Sequence, residues 1–185
     1  LENQRADLNK ISAQKITPLS FVVKAVSMAL EEYPVFNSSL VGKGKIMQRN
    51  YINIGIAVNT NEGLIVPVIK DANNLNVGQI AFEIKALSDK AKNKKLFTKD
   101  LNGGTFTISS LGGIGGTGFT PIINPPEVGI MGVSKTKTQL SLIEEKIVEK
   151  TLLPFSVSYD HRVINGVDAG NFVNFIKETL EKGIT

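Results

Sequence analysis

The chain has 185 residues, of which 42% are hydrophobic and 21% charged, a balance that folds as a globular domain rather than remaining disordered. Its 21 basic against 17 acidic residues leave a net charge of only +4, and no apolar run reaches the ~18 residues of a membrane helix. Cysteine is absent and histidine occurs once, at His161, which excludes disulfides, a cysteine nucleophile and the ordinary zinc ligand sets; no metal is expected.

Leu1 to Ile16 is polar and mildly helical. Thr17-Pro18 reads as an N-cap with proline in the first turn, opening a buried helix through Leu19, Val22, Val23, Val26, Met28 and Leu30 that stops before Pro34. Ile52, Ile54 and Ile56 alternate as a strand within Tyr51–Val58, and Asn59 to Gly63 turns the chain into a second strand over Leu64–Ile69, making a hairpin. Val77, Ile80, Ala81, Ile84, Leu87 and Ala91 form one apolar face of a helix within Asn76–Lys95. The basic run Lys90 to Lys95 falls at the end of that helix, where cations complement its dipole, and it lacks the interleaved aromatics of a nucleic-acid surface.

Further strands are expected at Thr105–Ser109, Val128–Val133 and Leu152–Tyr159. A charged excursion or hairpin loop is expected over Ser134–Lys150, and a last helix over Val167–Lys182 stopped by Gly183. Strands in pairs with helices between them give an α/β class, a mixed sheet covered by helices, in a single domain over 1–185. Gly113, Gly115 and Gly118 spell a G-x-G-x-x-G after a strand, but Pro121, Pro125 and Pro126 follow where a nucleotide site needs a helix. The glycines are read instead as permitting a tight bend or a close backbone approach to an extended ligand.

His161 stands in Asp160-His161-Arg162-Val163-Ile164-Asn165-Gly166, between a strand and the last helix, where sheets present side chains. This run is similar to the D-H-R-x-x-D-G motif of the dihydrolipoamide acyltransferases, the catalytic cores of 2-oxo acid dehydrogenase complexes. Pro34 to Leu40, Ile54 to Val58 with Gly63 to Ile69, Gly104 to Gly112 and Pro121 to Glu127 resemble other motifs of the family, in its order. The resemblance spans about Thr17 to Lys182 and implies a chloramphenicol acetyltransferase-like fold. It further implies acyl transfer between dihydrolipoamide and coenzyme A, with the lipoyl group supplied by a separate domain. The Phe106-to-Gly112 stretch is most like the acetyl-transferring branch of pyruvate oxidation, with succinyl or branched-chain transfer as the alternative.

By that resemblance His161 is the general base, and Ser109 donates a hydrogen bond to the oxyanion. Ser110 is the adjacent candidate, and a serine nucleophile is the rival chemistry. A free thiol with pKa ~8.5 needs a base near neutrality, and an imidazole near ~6.5 is matched to that task. No acyl-enzyme is required, which fits a chain without cysteine. Asn165 departs from the family's usual Asp and is assigned a supporting role through its amide. A core that assembles but has lost turnover through Asn165, and a free-standing acyltransferase for a small acceptor, are the competing readings. Asp160 and Arg162 are read as fixing the turn. No residue is assigned to the coenzyme A phosphates; Lys135 qualifies by charge alone.

The resemblance implies a homotrimer with each site between two subunits, built into a hollow cube or dodecahedron that serves lipoyl domains, a decarboxylase and dihydrolipoamide dehydrogenase. Neither nucleic acid nor membrane is implied as a partner. It places the protein in the cytoplasm of a bacterium or in the mitochondrial matrix of a eukaryote, and it implies an N-terminal arm and lipoyl and subunit-binding domains outside this stretch.

Overall fold

The computed structural model describes residues 1–12, 14–42 and 44–184. Helices α1 (Glu2–Ile11) and α2 (Pro18–Glu32) lead into the strands β1 (Ser38–Val41) and β2 (Lys45–Gln48). Strands β3 (Ile54–Ile56), β4 (Val58–Thr60), β5 (Gly63–Ile65) and β6 (Val68–Ile69) follow, then α3 (Val77–Lys92) and the single turn α4 (Thr98–Leu101). The second half holds β7 (Phe106–Ser110), β8 (Gly129–Val133), β9 (Lys137–Ile143), β10 (Lys146–Leu152), β11 (Phe155–Tyr159) and α5 (Gly166–Lys182). No helix among the described residues is long and apolar enough to cross a membrane.

The central sheet has five strands in the order β11-β8-β7-β3-β6. Strands β3, β7 and β8 are parallel, and β6 and β11 run antiparallel at the edges. This is the mixed sheet with flanking helices read from the alternation of strand and helix patterns. The predicted hairpin forms, but as two short ladders: β3 pairs with β6 and β4 with β5. Pro67 carries no N–H, although its carbonyl still accepts from Ile56 N at 2.8 Å.

Helix α2 is buried over most of its circumference, through Phe21, Val22, Val23, Ala25, Val26, Ala29 and Leu30, because it packs against both α3 and α5. It stops at Tyr33, whose successor Pro34 disfavours the helical conformation in the residue before it. Thr17 occupies the N-cap position without a side-chain cap bond, so the start rests on Pro18 in the first turn. Helix α3 begins in a capping box: Gln79 N donates to Asn76 Oδ1 and Asn76 N to Gln79 Oε1, both at 2.9 Å. Gly183 ends α5 with φ +91°, a conformation that costs a residue with a Cβ.

On the helix side of the sheet the rings of Phe36 and Phe172 stack, with centroids 3.9 Å apart, and Phe106, Tyr33 and Tyr159 close around them. Gly129 in β8 leaves room for them, since a Cβ there would stand 2.8 Å from the Phe106 ring. At the start of the sheet Asn53 clasps two other segments. Its Nδ2 donates to Gly103 O at 2.7 Å, its Oδ1 accepts from Asp71 N at 2.9 Å, and its backbone exchanges bonds with Thr105.

One feature was not anticipated, and another is more regular than expected. Ser38–Val41 and Lys45–Gln48 pair as the β1–β2 hairpin, and the hairpin loop or exposed excursion expected over Ser134–Lys150 is a full seven-pair ribbon, Lys137–Leu152. Its turn uses Glu144 and Glu145 at φ +47° and +63°, where a glycine or asparagine would be the readable signal. The stretch expected as a strand from Leu152 divides accordingly: Leu152 closes β10 and β11 starts at Phe155.

Truncating the stacked ring tests the core. Phe172→Ala is expected to cost about 3–5 kcal/mol in denaturant unfolding, because the Tyr33, Phe36 and Phe106 rings around it cannot all move into the space.

Candidate active site

His161 is exposed in the turn between β11 and α5, its ring centroid 5.5 Å from that of Tyr159. The turn beneath it is held from several directions. Asp160 N donates to Val128 O at 2.8 Å, and Val163 N and Ile164 N both donate to Asp160 O at 3.0 Å. Ile164 is fully buried and pins the turn to the core. Arg162 gives Asp160 two guanidinium bonds, Nε to Oδ1 at 2.9 Å and a terminal nitrogen to Oδ2 at 2.6 Å, and adds its own N–H. Those bonds from Arg162 hold the Asp160 carboxyl down at about 2. The reading of this pair as the brace of the turn agrees with that geometry.

Asn165 is the N-cap of α5. Its Oδ1 accepts from Asp168 N at 2.9 Å, and its Nδ2 donates to Asp168 Oδ2 at 2.7 Å. An aspartate could accept the first bond but could not donate the second, and would face the Asp168 carboxylate. The amide is therefore the group that suits this helix start.

Ser109 and Ser110 end β7 on opposite faces, because side chains alternate along a strand. Ser109 pairs across with Gly132, and Gly132 with Ser156. A Cβ on Gly132 would meet Phe119 at 2.8 Å, so this row faces away from the helices, toward the glycine- and proline-rich segment 111–128. Ser156 Oγ donates to Phe119 O at 2.5 Å and ties that segment down. No helix opens after the G-x-G-x-x-G. The chain stays irregular through Pro126 and crosses the sheet instead. Ser110 faces the helices, where it lines a cavity of about 310 Å³ with Leu19, Ile84 and Leu87, and its Oγ accepts from Gly112 N. No hydrogen bond among the described residues engages the Ser109 hydroxyl.

Strand direction then separates the two predicted groups. Ser109 and Ser110 lie at the C-terminal ends of the parallel β7 and β8, whereas β11 returns antiparallel and delivers His161 beside Gly129, at their N-terminal ends. Three residues along the strands, two more past Tyr159 and two strand spacings put them roughly 15 Å or more apart in one chain. Asn165 stays with His161. A single chain does not bring the imidazole to the serine.

One group near His161 escaped the sequence reading. Glu127, only 7% exposed, accepts from Thr107 Oγ1 at 2.6 Å and lines a cavity of about 540 Å³ with Asp160 and Arg162. Burial raises its carboxyl to about 7, against the lowering effect of bonds from Thr107 and Asn124. Its one sequence signal is an acid wedged between Pro125-Pro126 and the wholly apolar Val128–Val133.

Residues 1–185 match the family model for the 2-oxoacid dehydrogenases acyltransferase (catalytic domain). The dihydrolipoyllysine-residue acetyltransferase component of the pyruvate dehydrogenase complex of Buchnera aphidicola (subspecies Acyrthosiphon pisum) is 48% identical over 179 residues, 96% of this chain and 45% of its own length. The chain thus spans less than half the length of the curated relatives it matches.

The solved Azotobacter vinelandii dihydrolipoamide acetyltransferase superposes with a TM-score of 0.93 at 42% identity, over 97% of this chain and 75% of that one. That work concerned the role of a serine, a histidine and an asparagine in its catalytic mechanism. The cubic core of the pyruvate dehydrogenase multienzyme complex gives the same TM-score and coverage at 43% identity. Chloramphenicol acetyltransferase, at 14% identity and a TM-score of 0.54 over 86% of this chain, shares the fold.

Glu127 carries a consequence for stability. Well below pH 4.5 its carboxyl is neutral in folded and unfolded chains alike; as pH rises toward 7 only the unfolded chain ionises it freely, so stability falls and then levels off. Between pH 5 and 8 the natural chain should lose up to about 3 kcal/mol relative to Glu127→Gln, measured by urea unfolding across that range.

Proposed function

Because this chain belongs to the 2-oxoacid dehydrogenase acyltransferases, we propose that it is the catalytic domain of a dihydrolipoamide acetyltransferase, moving acetyl groups between a lipoyl group and coenzyme A. The observation that carries the reading is the placement of the chain's one imidazole: exposed, on a braced turn, with an asparagine cap behind it. In the Azotobacter relative the serine stands 52 residues before the histidine and the asparagine four after, the spacings of Ser109, His161 and Asn165. Ser110 would break the first spacing, and it faces the helices. That relative also has asparagine after its histidine, which favours a working site over an inactive hub.

In the proposed reaction His161 takes the proton from the coenzyme A thiol as the thiolate attacks the acetyl thioester carbonyl. The C–S bond forms, the carbonyl oxygen gains the charge, and the Ser109 hydroxyl donates a hydrogen bond to that oxygen. Collapse breaks the bond to the lipoyl sulfur, which leaves as a thiolate and takes the proton back from the imidazolium. The serine forms no covalent intermediate. Both thiols are substrates, the lipoyl group arriving on another domain.

The separation of His161 from Ser109 in one chain requires that a second copy complete each site. A closed ring of copies, each giving its histidine to one neighbour and its serine to the other, does so symmetrically. A trimer within a larger core, partnered with the decarboxylase and dihydrolipoamide dehydrogenase of the complex, is the assembly we infer; the cubic core of a relative supports it. On this reading the protein works in the bacterial cytoplasm or the mitochondrial matrix.

In a dihydrolipoamide–acetyl-CoA exchange assay, His161→Ala should abolish transfer. Ser109→Ala should lower kcat by about 100-fold or more, the cost of one oxyanion donor. Mixed assemblies of the two inactive variants should recover about a quarter of the natural rate, since one random site in four then receives an intact residue from each neighbour. Unimpaired exchange in His161→Ala would refute the assignment, and absence of complementation the shared site.

A further inference from the structure

Acetyl transfer as written employs Ser109 and His161 and leaves Glu127 idle, although three segments meet on it. Its Oε2 accepts from Thr107, which shares a face of β7 with Ser109 two residues on. Its backbone bridges to Ser39 in β1. The next carbonyl, that of Val128, receives Asp160 N at 2.8 Å, immediately before His161. Gly104 has no side chain because a Cβ there would stand 2.9 Å from Glu127 Oε1. The groups facing the carboxyl are Thr107 from β7, Asn124 from its own loop, and Asp160 and Arg162 across the cavity. Arg162 is committed to Asp160, and no ion pair among the described residues involves Glu127. An acid buried without a cation is poor structural cement, and an apolar residue would serve packing better, so the acceptor for Thr107 is what the position keeps.

We propose that Glu127 is a positioning residue for the imidazole: its bond from Thr107 fixes the 127–128 backbone, and that backbone, through Val128, fixes the strand end from which His161 projects. The inference rests on the proposed role of His161. The ring itself is exposed, with the Tyr159 ring beside it, so the backbone beneath decides where its nitrogens stand. Burial keeps the acid protonated into the neutral range, so an amide can replace it as acceptor from Thr107.

The test uses the assembled protein with isotope-labelled histidine, the His161 imidazole signal being assigned by its loss in His161→Ala. Glu127→Ala should lower kcat for exchange about tenfold with KM for coenzyme A unchanged, and should shift the His161 imidazole resonance. Glu127→Gln should return both close to the natural values. Should the alanine variant fail to assemble, Thr107→Val removes the donor with little change of shape and should move both readouts in the same direction. Unchanged resonance in the alanine or valine variant overturns the proposal, as does a glutamine variant no better than alanine. A natural protein that transfers no acetyl group would refute the functional reading instead, while the resonance comparison still decides the positioning role.

Discussion

Strand direction within the β7–β8–β11 ladder governs how this protein can work. Parallel pairing of β7 with β8 puts their C-terminal ends together, and the antiparallel return of β11 carries the chain back to the other end before α5 begins. Hydrogen bonds across three strands hold that arrangement, so no side-chain motion brings His161 to Ser109 in one chain. A symmetric assembly resolves the conflict without altering the sheet. On the proposed function each chain would act at two sites, with the sheet as the rigid spacer between them.

Rigidity is supplied unevenly. The stacked Phe36 and Phe172 and the encircled helix α2 consolidate one face of the sheet. The opposite face is crossed by an irregular segment held through Ser156 and seated on Gly132. A helix there would have stood off from the sheet; glycines and prolines let backbone lie close over Gly132 and Ser156, with Ser109 half-buried at the strand end. The motif that resembles a dinucleotide loop is thereby accounted for as a crossover.

Much of the site chemistry could be read before any coordinates. A chain with one histidine and no cysteine has one candidate general base, and the ordered motifs around it pointed to thioester exchange. Asn165 departs from the family's usual Asp, and in the structure its amide caps α5 through Asp168, where the neighbouring carboxylate makes asparagine the better cap. Glu127 passed unnoticed because acidity at a given position says nothing of burial. Its raised carboxyl comes from burial among segments distant in sequence, Gly104 and Ser39 among them, against the lowering effect of the bond from Thr107. The β1–β2 hairpin was missed, and the paired strands of the β9–β10 ribbon went beyond the hairpin loop or exposed excursion expected there, for a simpler reason. Strands β2, β9 and β10 are exposed, so no buried face sets their pattern, and Glu144-Glu145 is not a recognisable turn pair.

From its sequence alone this protein had its helix starts and stops, its mixed α/β class, its inventory of reactive groups and its family resemblance. These are properties of residue type and of spacing within a few positions, where capping, periodicity and the lack of a proline N–H act directly. Tertiary structure decided which face Ser109 takes against Ser110, at which end of the sheet His161 emerges, and that Glu127 lies buried beneath it. Those outcomes depend on strand register and on burial, and both are set by pairings between distant segments, such as β3 with β7 and Ser39 with Glu127, which no local signal encodes.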